Sequence, residues 1–251
     1  MDLRTKRLIV TILNHKEDYS EIIALESEAS TSRQNTKEKL IKGYRPEIFY
    51  VSQGKPLRNK TLFYDLVYGN ECRLAGTGLF ESHFQCVFQH KDFEKVVSYM
   101  IPEMKGLRPW NFGDDAVLKE FCHGIFDFDI PSYKEVIPIR LATYFYPNLL
   151  LPIFKISELK EICGSFHFYS NAKSKGESLF CYNKYLLSRV KTQSANILKV
   201  QKAYLVKFTL ELRNRLKGES YDEILQSCNK VWIKKFMETG KKILDEFENQ
   251  K

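Results

Sequence analysis

Asp127 and Asp129 in "GIFDFDIPSYKEV" stand two apart, with Lys134 and Glu135 close behind. On a strand, residues two apart share a face, and two carboxylates on one face can hold Mg²⁺. With a lysine near the attacking water, such a set would serve a metal-dependent nuclease. The spacing departs from that need, because Lys134 and Glu135 are adjacent and would point to opposite faces. Surface acids closing a turn before Pro131 are the plainer reading. Gly54-Lys55 runs into Pro56 and Gly240-Lys241 into Lys242, so neither completes a phosphate-cradling GxxxxGK[ST] loop. Gly76 and Gly78 around Thr77 fit a turn or bulge better than a dinucleotide fingerprint. HExxH and GxSxG are absent. The histidines at 15, 83, 90, 123 and 167 lack metal-ligand spacing. His123 adjoins Cys122, and neighbours in sequence do not readily form a nucleophile–base pair. The expectation is a non-catalytic chain with no catalytic residue, resident metal or cofactor.

Charge offers more. The chain of 251 residues carries 39 basic and 31 acidic side chains, a formal +8. Arg33, Lys37, Lys39, Lys42, Arg45, Lys55, Arg58 and Lys60 meet only Glu38 and Glu47 between residues 33 and 60. Between 184 and 217 nine cations (Lys184, Arg189, Lys191, Lys199, Lys202, Lys207, Arg213, Arg215, Lys217) meet only Glu211. Such clusters suit a polyanion, because each cation placed at a phosphate releases a condensed counterion. A solvated helical face is the alternative, and for the second cluster the two readings weigh equally. The cysteines at 72, 86, 122, 163, 181 and 228 form no CxxC pair, and their largely apolar neighbours suggest buried, reduced thiols.

These residues need elements to position them. Up to about residue 105, "KRLIVTIL", "EIFYVS", "TLFYDLVY", "CRLAGTGLF", "FQCVFQH" and "KVVSYMI" are short, β-branched or aromatic, and separated by turn formers. "SRQNTKEKLIKGYRP" before them reads as a short basic helix or loop. From about residue 115 the period lengthens. "SELKEICG" suits a helix with Ser157 as N-cap and Gly164 past its end, and "ESLFCYNKYLLSRV" is a second helical run. Ile197, Val200, Tyr204, Phe208 and Leu212 share one face of a third. Ser220 and Glu223 then form a capping box opening a long helix, in which Gly240 marks a weak point. The predicted class is α+β: a β-rich N-terminal half over 1–108 and a helical half over 109–251, divided within "EMKGLRPWNFGDD".

The most apolar stretch, "ATYFYPNLLLPIF" (142–154), is too short for the roughly 20 residues of a membrane-spanning helix. Pro147 and Pro152 interrupt it, so a buried helix ending near Tyr146, then a turn and an extended piece, is expected. With no signal peptide visible, the cytoplasm is the expected location.

Residues 141–164, "LATYFYPNLLLPIFKISELKEICG", resemble a segment found ahead of the AAA+ motor in McrB-like restriction proteins. That resemblance implies a variable N-terminal region selecting the DNA to be cut. The LlaJI-type members imply a B3-like pseudobarrel, a motor domain following this chain and a nuclease subunit as partner. The chain itself has no P-loop, which departs from the full-length family.

The expected function is therefore site-specific binding of double-stranded DNA as the target-recognition module of a restriction system. Arg45, Arg58 and Arg73 adjoin turn signals and are candidate guanine readers. Lys55 and Lys60 bracket "PLRN" and suit phosphates, while Asn59 suits adenine or a turn cap. The alternatives are an RNA- or modified-base-binding module, with Tyr44, Phe49, Tyr50, Trp110 and Phe112 as pocket aromatics, and the metal-dependent nuclease. Arg58→Ala is expected to weaken preferred-site binding by about 1–3 kcal/mol and leave non-specific binding nearly intact. Equal loss of both in a binding titration would make Arg58 a phosphate contact.

Overall fold

The computed structural model describes residues 1–16, 20–45, 49, 81–191 and 196–249, and every regular element among them is helical. This overturns the expected β-rich first half and its pseudobarrel. "KRLIVTIL" lies in α1 (Leu3–Asn14), which Asp2 caps by accepting a hydrogen bond from Thr5 N at 2.9 Å. The basic "SRQNTKEKLIK" is the second half of α2 (Ser20–Lys42). "FQCVFQH" falls mostly in α3 (Glu81–Phe88) and "KVVSYMI" in α4 (Phe93–Met100). In α4 the buried apolar residues are Phe93, Val96, Val97 and Met100, the i, i+3, i+4, i+7 spacing of one helical face. Period outweighed β-branching, whose helical penalty is only a few tenths of a kcal/mol per residue. The other expected strands, "EIFYVS", "TLFYDLVY" and "CRLAGTGLF", lie outside the described residues except for Phe49, a buried turn residue.

A 3₁₀ turn (Pro102–Lys105) follows α4 and ends at Gly106, whose φ of 70° is the left-handed conformation that glycine adopts most readily. Then come α5 (Asp115–Gly124), α6 (Val136–Phe145), α7 (Ile156–Ser165), α8 (Lys175–Arg189) and α9 (Asn196–Arg215). Next are α10 (Tyr221–Ser227) and α11 (Val231–Asn249). α9 packs on α11, α7, α1 and α2; α8 packs on α5 and α7; α2 also meets α6 and the 3₁₀ turn. One cluster of buried apolar residues extends from Leu8 on α1 to Leu244 on α11, drawing on both sides of residue 108. No described helix is long and apolar enough to cross a membrane.

All ten residues of α6 are buried, including Arg140, whose guanidinium carbon lies 4.1 Å from the centroid of the Phe154 ring. Pro138 occupies the first turn of α6, where a missing N–H breaks no intrahelical bond. As expected, the helix ends at Phe145 and the prolines redirect the chain. The irregular backbone that follows is pinned from outside. Leu151 N donates to the buried Asn183 Oδ1 at 2.7 Å, and Ile156 N to Glu135 Oε1 at 2.6 Å. A buried amide left without such a partner would cost about 1–3 kcal/mol.

Val200, Tyr204, Phe208 and Leu212 form the buried face of α9 as the sequence predicts, and Ser220 and Glu223 complete the capping box of α10. Three details differ. α7 begins at Ile156 with Lys155 as its N-cap residue, so Ser157 sits in the first turn and Gly164 inside the helix. The predicted long helix breaks at 228–230, and Gly240 lies within the unbroken α11. A Cβ at Gly240 would stand 2.6 Å from Thr209 Oγ1 and 3.3 Å from Thr209 Cα, so this glycine permits close approach of α9 and α11. The third is Lys202 on α9, 1% exposed, whose ammonium donates to the carbonyls of Ile12 and His15 at the C-terminus of α1.

Overpacking costs about 1–3 kcal/mol against the ~1 kcal/mol that alanine gains over glycine in a helix. Gly240→Ala is therefore expected to lower stability by about 1 kcal/mol in urea unfolding, and by less in a Thr209→Ala background. Equal costs in both backgrounds would show that the two residues do not oppose each other.

Candidate nucleic-acid interface

Five of the six predicted site residues, Lys55, Arg58, Asn59, Lys60 and Arg73, lie outside the described residues. Arg45 is exposed, two residues past Gly43 and three past the C-terminus of α2 at Lys42. Tyr44 packs on Phe49 with ring centroids 5.9 Å apart, and Phe49 is buried against Phe88 and Phe93. Phe49 is therefore a core residue and not an open stacking platform; Tyr50 lies outside the described residues.

The structure divides the two cationic clusters by what each charge meets. In the second, Lys184 pairs with Asp115, Lys207 with Glu161 and Glu211, and Arg215 with Glu219. Arg213 donates to Thr5 Oγ1, and Lys202 caps α1. Most of that cluster is thereby engaged in holding helices together. In the first, Arg33 pairs with Glu26 at 3.4 Å and Lys37 with Glu103 at 3.0 Å. Lys39, Lys42 and Arg45 are exposed and meet no carboxylate among the described residues. The Lys37–Glu103 pair ties α2 to the 3₁₀ turn, which leads on to Lys105 and Arg108, also exposed and without a carboxylate partner among the described residues.

Lys105 and Arg108 line a cavity of about 600 Å³ with Lys95, Ser98, Tyr99, Trp110 and Phe128. The segment carrying Trp110 reads in sequence as a linker, yet it is fastened onto α4. Trp110 Nε1 donates to Tyr99 O at 2.9 Å, and its ring packs edge-on to Tyr99 and Phe121, with centroids 5.3 and 5.5 Å away. Tyr99 stacks on Phe121 and sends its hydroxyl to the carbonyls of Glu120 and Phe121, at 3.3 and 3.5 Å. Burial is the main cause raising that phenol above its ordinary pKa, so it stays a neutral donor. Space for it comes from Gly124, where a Cβ would fall 2.0 Å from the Tyr99 hydroxyl oxygen. Phe112, the other predicted pocket aromatic, packs behind Trp110 against Phe121 and Tyr146. Sequence reasoning missed Tyr99, Lys105, Arg108 and Phe128; the cation–aromatic interleaving of "KGLRPW" was the signal.

The other candidate chemistry is dispersed. Asp127 and Asp129 are exposed in the loop between α5 and α6, not on a strand, and no group of three metal-ligating side chains gathers among the described residues. Ser174 Oγ lies 3.3 Å from His123 Nδ1, but it also accepts Glu177 N as the N-cap of α8. Cys122, Cys163 and Cys228 are buried free thiols, and burial pushes Cys122 and Cys163 up to about 12. Cys86, by contrast with the buried setting expected of it, is exposed, and Cys72 lies outside the described residues.

Gly124→Ala is expected to displace the Tyr99 ring, shift the emission of Trp110 and lower stability by about 1–3 kcal/mol. Adding Tyr99→Phe removes the nearest atom but leaves Cζ 2.4 Å from the new Cβ, so urea unfolding should recover only in part. No family model, curated protein or solved structure matches this chain.

Proposed function

We propose that the chain is a cytoplasmic, non-catalytic nucleic-acid-binding module whose partner is double-stranded DNA. The supporting observation is the set of exposed cations without carboxylate partners among the described residues: Lys39, Lys42 and Arg45 at the end of α2, Lys105 at the end of the 3₁₀ turn packed on α2, and Arg108 just past it. Ion pairs engage other cations, among them Lys184, Lys207 and Arg215, whereas these five gather on two elements that pack on each other, the end of α2 and the 3₁₀ turn with its continuation. Phosphates would sit on the lysines, which fix register without reading sequence. Arg45 would reach a base edge or a second phosphate, since arginine's rigid planar fork suits two parallel bonds to guanine better than a lysine ammonium does.

The reading as a target-recognition module of a restriction system, delivering DNA to a motor and nuclease, rests on the resemblance at 141–164. In this structure those residues build α6, the pinned turn and α7, and α6 is wholly buried with Tyr144 bonded to Thr36 on α2, so it supports the cationic helix from the core side. The DNA-facing role therefore falls to other elements.

Each cation lost from a phosphate lowers the slope of log Kobs against log salt by about 0.9 on duplex DNA. Lys39→Ala/Lys42→Ala/Arg45→Ala is expected to reduce that slope by two to three units on the scale of roughly one per contact. An unchanged slope, with duplex affinity intact, would remove these three residues from the interface. Absence of duplex binding at low salt would end the DNA reading.

A further inference from the structure

We infer that the Trp110 cavity is a nucleotide site: it receives one nucleobase in its aromatic interior and holds the attached phosphate on Lys105 and Arg108. The inference deepens the DNA reading where the nucleotide belongs to a strand, and stands without it where the nucleotide is free.

The cavity's volume, about 600 Å³, lies in the middle of the roughly 300–1,000 Å³ range of small-molecule sites. Its wall is made of Tyr99, Pro102, Leu107, Trp110 and Phe128, a surface that water wets poorly and a flat aromatic ring fits. The polar atoms of the two largest rings are spent inward, Trp110 Nε1 on Tyr99 O and the Tyr99 hydroxyl on Glu120 O and Phe121 O. What they can offer a ligand is π surface, which every base can stack on. Ser98 is likewise engaged, donating to Lys95 O at 3.1 Å. Asn111 accepts from Gly113 N at 3.3 Å and keeps its amide N–H groups for a base edge.

Charge decides between an apolar ligand and an anionic one. A site for a lipid tail or an uncharged peptide gains nothing from cations at its edge. Lys105 and Arg108 flank the apolar wall and meet no carboxylate among the described residues, while Lys95 is held by Asp92 at 2.7 Å. Two unpaired cations beside an aromatic wall match a ring carrying a phosphate. Leu107, 61% exposed between them, would be covered by such a ligand.

The two tryptophans make the test direct, since Trp232→Phe leaves Trp110 as the sole indole. In that background, adenosine 5′-monophosphate, a short single-stranded oligonucleotide, a blunt duplex and inorganic phosphate are titrated separately while Trp110 emission is read. Saturable quenching by the mononucleotide supports a free-nucleotide site; quenching by the single strand alone supports a strand-borne nucleotide. In either case Lys105→Ala/Arg108→Ala should weaken binding about tenfold, as expected for lost charge-assisted phosphate contacts. Adenosine binding as tightly as its monophosphate, with no effect of the double variant, would overturn the assignment of Lys105 and Arg108. If neither nucleotide probe quenches Trp110 while the blunt duplex still binds with steep salt dependence, the site is refuted and the DNA reading survives. Quenching by the mononucleotide without any duplex affinity gives the converse.

Discussion

A helix buried on every side imposes the central constraint on this fold. α6 turns all ten of its residues inward, and the nearest exposed residues of the flanking chain are Lys134 before it and Asn148 after it. The backbone that continues from it is satisfied partly by its own turn, Leu149 N and Leu150 N donating to Tyr146 O at 3.1 and 3.2 Å, and partly by side chains of other elements. Asn183 and Glu135 supply the missing acceptors, one from α8 and one from the residue preceding α6. Asn183 is itself fixed, donating to Leu179 O at 3.0 Å within α8. The position of α8 is thus coupled to the turn after α6, and α8 in turn carries α5, the helix against which Tyr99 and Trp110 pack. The candidate site is supported by this chain of contacts, although Asn183 and Glu135 do not line it.

Charge in this molecule serves two purposes, and the partners each cation meets separate them. Lys207 and Lys202 are nearly or fully enclosed, and each has acceptors: two glutamates for the first, two helix-terminal carbonyls for the second. Enclosing a cation is tolerable only with such partners. Glu158 in α7 shows the opposite strain, its carboxyl raised above the ordinary range chiefly by burial. The cations at the end of α2 and beyond the 3₁₀ turn stay hydrated and open. A count of lysines and arginines along the sequence merges these groups; only the positions of Glu161, Glu219 and Asp115 relative to them tell the groups apart.

Legibility in the sequence followed the kind of signal involved. Face periodicity and caps were readable: the α9 face, the Ser220–Glu223 box and the end of α6 at Phe145 all stand as expected. The first half was misread because Val, Ile and Phe were weighed by strand propensity, while Phe93, Val96, Val97 and Met100 already carried the 3.6-residue period in "FEKVVSYM". Gly240 looked like a weakness because a glycine is costly in an isolated helix; its role depends on Thr209, which no local window includes. The Trp110 segment looked like a linker for the same reason, since its anchor at Tyr99 O is a backbone atom of another element. Of the predicted site residues only Arg45 falls among the described ones, and it does not line the cavity that local reasoning overlooked.

The seating of α1 has a temporal side. Its C-terminus is capped by Lys202, 190 residues away from Ile12, and Arg4 pairs with Glu248 on the last helix. At roughly 5–20 residues per second, a ribosome would take on the order of 10–40 s to deliver the lysine after making the helix it caps. During that interval Leu8, Ile9 and Ile12 have no α9 or α11 to rest against. α1 is thus made before the helices it docks on, and nascent-chain chaperones would meet it with its apolar side uncovered.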